Sequence, residues 1–375
     1  MREQFLTSCK RIVIKIGSSL VASPKGGLRL DRIERLAKEL GALQSQNLEI
    51  VIVSSGAIVA GISHLALDSY PHELPLQQAS AAVGQSRLMR AYETAFEATH
   101  HKIAQILLTH QDLADRRRFL NARHTLTTLL QLKVIPIINE NDTVAIDEIR
   151  FGDNDTLAGQ VAHVVDADLL VILSDVDGLY TQDPHLHPSA ELIPFVPVIT
   201  PAIEESAGTS RTQNSRGGMI TKIRAAKQAG RFGVSTLLLN GETPLALQQV
   251  LDGQKGGTLF LPQESSLTSR KQWIAFTLRP KGELRLDGGA VQALTLRGKS
   301  LLPSGIVKVT GTFMPGDPVT CATEEGKSFA QGLTNYSSET LQRILGKKTS
   351  EIRTLLGSLE YEEIIHRDNL VLTGS

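Results

Sequence analysis

Short runs of Val, Ile and Leu alternate through the first 260 residues with longer stretches in which apolar positions recur every three or four residues. The short runs are apolar almost throughout, as expected for strands covered on both faces, and the longer stretches have the helical period. The pattern predicts strands at 11–16, 49–53, 103–108, 134–138, 169–173 and 235–239. Between them it predicts helices at 32–44, 85–97, 121–130, 155–164 and 219–229, several entered through a polar residue or glycine. The fold class is α/β: a doubly wound, mainly parallel sheet. Open sheets of this kind bind ligands beyond the carboxyl ends of their strands, so the loops after each run are where chemistry is expected.

Beyond residue 260 the pattern changes. Residues 262–272, PQESSLTSRKQ, are polar and serine-rich and read as a linker. From 273 to 357 the segments are short and punctuated by Gly and Pro, which predicts a small β-rich domain, and 358–375 is expected to be a C-terminal tail. The first domain is then 1–261. A length of 375 residues, more than one core usually organises, agrees with this division.

Composition narrows the classes of function. Lys plus Arg and Asp plus Glu both number 39, so no global field gathers nucleic acid or anionic membrane, and any such binding must be local. Cys9 and Cys321 are the only cysteines, which argues against a disulfide framework or structural zinc and fits a reducing compartment. The apolar run at 11–16 is too short for a signal-peptide core, and no apolar stretch approaches the roughly 20 residues of a membrane span. A soluble, cytoplasmic protein is expected.

Five loops carry candidate chemistry. Lys15 lies inside an apolar run just before Gly17, Ser18 and Ser19, where it either reaches phosphate oxygens cradled by backbone N–H groups or ends a strand in solvent. A second strand delivers Ser54, Ser55, Gly56 and Ala57 into a helix, an arrangement that suits an anion but also ordinary tight packing. The third loop, Asn139, Glu140, Asn141 and Asp142, is followed by Asp153, Asn154 and Asp155 at a helix start; one of these is a natural helix cap, but carboxylates so concentrated call for a cation. The fourth holds Ser174, Asp175 and Asp177. In the fifth, Gly217 and Gly218 open a helix with Lys222 in its first turn. Singly each is weak; together they describe a pocket with two lysines, glycine-rich turns and several carboxylates and carboxamides.

In this order, KIGSS, VSSGA, INENDTVA, FGDND, LSDVDGLYTQDP and GGMITK resemble the amino-acid kinase family over the first 260 residues, most specifically in INEND followed by FGDND. The resemblance is specifically to members that phosphorylate the side-chain carboxylate of L-glutamate to L-glutamyl 5-phosphate, the first step of proline biosynthesis. The segment SLLPSGIVKVTGTFMPGDPV is similar to a PUA domain, a β module known from RNA-modifying enzymes. The resemblance implies ATP as phosphoryl donor, with Mg2+ on its phosphates and no protein metal site. It implies that Lys15 and Lys222 contact the phosphates and that Asp155 orients both. It gives Ser55, Asp142 and Asn154 to glutamate, with Asn139 and Asp153 in support. Gly17, the pair Ser174 and Asp175, and the segment Arg216, Gly217, Gly218, Met219, Ile220, Thr221 and Lys222 fall to the nucleotide. Relatives often have a small threonine where this chain has Arg216.

The implied chemistry stands on its own terms. A carboxylate with a reference pKa of about 4.3 is ionised at neutral pH and needs no general base; repulsion between two anions is the obstacle, and positioned cations answer it. Related kinases acting on N-acetylglutamate, aspartate, carbamate or a nucleoside monophosphate share the generic features. The resemblance further implies feedback inhibition by proline, a homo-oligomer (dimer or tetramer) and a glutamate-5-semialdehyde dehydrogenase partner for the product. RNA binding is the competing class, but basic residues of the second domain are interleaved with acidic ones and aromatics are sparse, so stacking platforms are lacking. That module is expected to be structural or regulatory.

Overall fold

The computed structural model describes residues 2–23, 27–145, 154–184, 186–208, 218–262, 271, 274–275, 278–345 and 363–373. The chain divides into two compact units, Met1–Ser265 and Ser266–Ser375.

In the first unit the strands are β1 (Arg11–Ile16), β2 (Ala22–Ser23), β3 (Gly27–Leu28), β4 (Glu49–Ser54), β5 (Lys102–Leu108), β6 (Val134–Glu140), β7 (Leu169–Ser174), β8 (Phe195–Val196), β9 (Ser235–Asn240) and β10 (Thr258–Phe260). Eight of them form one sheet in the order β5-β6-β4-β1-β7-β9-β10-β8, with β2 and β3 paired apart. Every pairing in the large sheet is parallel except β9 with β10. All six predicted strands are present. The additional short strands β8 and β10 lie at one edge, where two or three residues give a periodicity too brief to read.

The centre of the sheet is continuous and apolar because both of its faces are covered there, whereas edge strand β5 is largely exposed or half-buried. Ile12, Val13, Ile14 and Ile16 of β1 are all without solvent exposure. Helix Leu30–Ser45 lays Ile33, Leu36, Ala37, Leu40 and Leu43 on one face, joining the Ile12, Ile14 and Ile16 side of the core. Helix Leu74–Glu97 begins well before the predicted 85, since a proline in its first turn is compatible with helix and the apolar period alone did not mark the start. From β1 the chain winds to β4 on one side and, after β6, resumes with β7 on the other. The carboxyl end of β1 is therefore a topological switch point, the crevice where open α/β sheets bind ligands.

The second unit has β11 (Gly282–Leu286), β12 (Ile306–Gly311), β13 (Pro318–Thr323), β14 (Ser328–Leu333) and β15 (Leu370–Leu372), ordered β12-β11-β13-β14-β15. Its own core includes Leu284, Phe313, Val319, Cys321, Ile364 and Ile365. The expected tail at 358–375 is corrected over its described residues. Ile364 and Ile365 are fully buried, and Val371 pairs with Gln331 across β14 and β15. Two apolar pairs, Ile364 with Ile365 and Leu370 with Val371, belong in the core despite standing beyond the last glycine-punctuated segment. Among the described residues no helix is long and apolar enough to cross a membrane.

Candidate functional site

Lys15 is the next-to-last residue of β1, level with Val53 of β4 and Ile172 of β7. It is only 7% exposed, so its ammonium needs a partner, and Asp155 supplies one: Nζ lies 2.6 Å from Oδ1. Asp155 stands in the first turn of helix Asn154–Val164 and is 1% exposed. Its other oxygen accepts from the Thr221 hydroxyl at 2.8 Å. Thr221 and the buried Lys222 belong to helix Met219–Arg231, which Gly218 caps without any side-chain hydrogen bond. Burial alone would push the Asp155 carboxyl up. The charges of Lys15 and Lys222, with hydrogen bonds from Lys15 and Thr221, outweigh it and hold the group below the usual carboxylate range. Lysines more than two hundred positions apart in sequence thus act on a single carboxylate.

After Lys15 the chain turns at Gly17, whose N–H donates to the Leu173 carbonyl of β7 at 3.2 Å. Ser18 and Ser19, both exposed, open helix Ser18–Val21, and first-turn N–H groups have no acceptor within their own helix. Beside them, Gly56 takes φ +105°, a left-handed conformation suited to glycine, and caps helix Ala57–His64. Four helix N-termini, those of Ser18–Val21, Ala57–His64, Asn154–Val164 and Met219–Arg231, thus follow or contact the strand ends here, and each favours negative charge.

Asn154 joins the loops after β4 and β6. Its Nδ2 lies 3.0 Å from the Ser54 carbonyl, 2.8 Å from Ser55 Oγ and 2.9 Å from Asn139 Oδ1. The Asn139 carboxamide donates in turn to Gln85 Oε1 at 2.7 Å, and its oxygen accepts from the Glu140 N–H at 2.9 Å. Ser55, Asn154 and Asn139 are therefore one hydrogen-bonded group. Gln85 belongs to it too, and sequence reasoning missed it: it sits mid-helix, with no motif around it to separate it from solvated glutamines. Asp142, two residues past β6, is half-buried and has no ion pair among the described residues. Desolvation pushes its carboxyl up to about 6.

Ser174 closes β7 and donates to Asp175 Oδ1 at 3.0 Å; Asp175 is exposed. No hydrogen bond among the described residues ties this pair to the Lys15, Asp155 and Thr221 cluster. Gly218, Met219 and Ile220 are half-buried at the helix entry beside Thr221. Asp153, Arg216 and Gly217 lie outside the described residues. Among those described, no three His, Cys, Asp or Glu side chains gather as a metal site. A magnesium ion entering on nucleotide phosphates needs only one or two protein carboxylates, so this donor set is compatible with it. The site as built presents ammonium groups and helix N-termini to a polyanion, with amide, hydroxyl and carboxylate groups alongside.

Comparison with known proteins agrees with this geometry. Residues 10–240 match the model of the amino acid kinase family, and residues 282–356 match that of the PUA domain. A protein of Geobacter sulfurreducens named glutamate 5-kinase is 51% identical over 99% of this chain and 100% of its own length. Proteins of the same name from Geobacter metallireducens and Teredinibacter turnerae are 51% and 47% identical over the same shares.

Proposed function

The chain belongs to the amino acid kinase family, and from that premise we infer that it transfers the γ-phosphoryl group of ATP to the side-chain carboxylate of L-glutamate. The product is L-glutamyl 5-phosphate, the first intermediate of proline biosynthesis. The observation that carries the reading is the convergence of Lys15 and Lys222 on Asp155 at the switch point of the sheet. The acceptor carboxylate is already ionised at neutral pH, so no group need remove a proton. What the protein must supply is alignment and positive charge along the reaction axis.

In this reading Lys15 and Lys222 lie along the phosphates, and Asp155 sets the distance between their ammonium groups. Ser18 and Ser19, just after the turn at Gly17, and Gly218 to Ile220 offer backbone N–H groups to the same oxygens, with Lys222 beside them and Ser174 and Asp175 toward the rest of the nucleotide. Mg2+, carried on the phosphates, supplies further neutralising charge. Ser55, Asn139 and Asn154 hold the glutamate, and Asp142 receives its α-ammonium group. A desolvated carboxylate lacking an ionic partner among the described residues suits that task. Proline as a feedback inhibitor, a homo-oligomeric assembly and a dehydrogenase that consumes the acyl phosphate belong to the same reading. A cytoplasmic location is supported by Cys9 and Cys321 both being free thiols, as a reducing compartment keeps them.

The test is ADP release from ATP with a panel of acceptors: glutamate, N-acetylglutamate, aspartate, carbamate and a nucleoside monophosphate. Hydroxylamine should trap an acyl phosphate with glutamate alone, and added proline should lower the rate. Turnover with another acceptor in place of glutamate would sink the assignment.

A further inference from the structure

The turn at residues 17–19 is a glycine and two serines, a sequence with little stiffness of its own, yet the reaction requires its N–H groups to be fixed. What holds it comes from distant parts of the first unit. Arg29 donates through Nη1 to the Ser19 carbonyl at 2.9 Å and to Glu242 Oε1 at 2.8 Å. Glu242 is also gripped by Arg32, which is 8% exposed and donates to the Glu242 carbonyl at 3.1 Å. In the loop after β9, the Glu242 N–H donates to Asn240 Oδ1, and Asn240 Nδ2 donates to Asp177 Oδ1, each at 2.8 Å. A single chain of bonds therefore runs from the Ser19 carbonyl to the loop carrying Asp175, passing through neither lysine. Gly241 lets the segment lie directly on the turn: a Cβ there would stand 2.4 Å from Leu20 Cδ1.

We propose that Arg29, held by Glu242, is a positioning residue for the nucleotide: by fixing the Ser19 carbonyl it aims the N–H groups of the turn at the phosphates, in register with the Asp175 loop. The inference rests on the nucleotide site argued above. The side chains of Arg29 and Glu242 are 33% and 36% exposed, and ion pairs so wetted contribute little to stability. An arginine that adds little to the fold but bonds a loop carbonyl acts through placement. Misplacing reacting groups by about an ångström is costly to rate and binding alike.

Arg29→Ala in the full chain tests this, because removing Glu242 would strand the buried Arg32 and confuse folding with function. The expected result is a KM for ATP raised roughly ten-fold, with the KM for glutamate and the melting temperature unchanged. Arg29→Lys should recover most of the loss, since an ammonium still reaches one partner. Arg35→Ala, which loses only a one-turn pair with Asp31, should match the parent chain. Calorimetric binding of a non-hydrolysable ATP analogue, measured without glutamate, should weaken in Arg29→Ala alone. An unchanged ATP affinity overturns the proposal, and so does a parallel rise in both KM values with a lowered melting temperature, which would mark a merely structural role. If the unsubstituted chain itself bound no analogue, the nucleotide site would fall and this inference with it.

Discussion

An ammonium group nine-tenths removed from water needs a counter-charge, and Lys222 shares one with Lys15. Both lysines neutralise Asp155 in the free protein, so a phosphate chain arriving there meets preformed positive charge. Lys222→Ala is expected to lower kcat at saturating ATP and glutamate by about 10²- to 10³-fold, the usual loss for a transition-state contact, with little change in the KM for glutamate. Steady-state kinetics decide, and an unchanged kcat removes Lys222 from the mechanism. Asp142 makes the opposite case. Its folded pKa of about 6 lies above its ordinary value of 3.8, so its contribution to stability is complete below 3.8 and is lost as pH rises through about 6. Asp142→Asn should therefore melt higher than the parent at pH 7.5 while requiring far more glutamate. In the parent chain the KM for glutamate should climb as pH falls below about 6. A variant with normal glutamate saturation would contradict the role. Lys15 and the Asn139 to Asp142 loop stand out in the sequence because apolar strands rarely end in such residues, and Lys222 because paired glycines precede it at a helix entry. Gln85 and Arg29 were not, since only their neighbours in space distinguish them.

At the scale of elements, helices Ala57–His64 and Leu74–Glu97 cross at backbone contact. A Cβ on Gly84 would stand 1.8 Å from the Ala57 carbonyl oxygen, and one on Gly61 equally close to that of Ser80. Helix Ala57–His64 carries Ser55 and Gly56 at its entry, so this crossing sets the height of the loop proposed to hold glutamate. Gly84→Ala forces backbone apart and should cost about 1–3 kcal/mol or more. Urea unfolding of the variant should show it, together with a raised KM for glutamate; equal stability would mean that the helices separate freely. The central strands β1, β4, β6, β7 and β9 were well read because their apolar runs are buried on both faces. The start of helix Leu74–Glu97 was not, because its first turns mix buried Gln77 and Ser80 with exposed Leu76 and so blur the period.

At the scale of the whole molecule, each unit holds its own hydrophobic cluster, and the residues argued to bind ATP and glutamate all lie in Met1–Ser265. Ligands that bind only folded protein raise the stability of the part that binds them. Scanning calorimetry should show two transitions, with ATP and glutamate together raising one and leaving the other in place. A single transition shifted as a whole would mean that the units unfold as one. The change to short segments punctuated by Gly and Pro after residue 260 is visible in the sequence, whereas the membership of Ile364, Ile365 and β15 in the second core is not, because their partners stand some forty to sixty positions earlier.

By itself, the order of residues determined six strands and the body of five helices in the first unit, that the sheet is mainly parallel, and that polar clusters gather in the loops after its strands. These follow from local periodicity and from the cost of burying unpaired polar groups, both of which act over a few residues. Only the tertiary structure decided the strand order, the switch point at β1, the meeting of Lys15 and Lys222 on Asp155, and the Arg29 and Glu242 brace across the site. Those depend on which distant segments the closed core presses together, and no local pattern encodes a distance between positions 15 and 222.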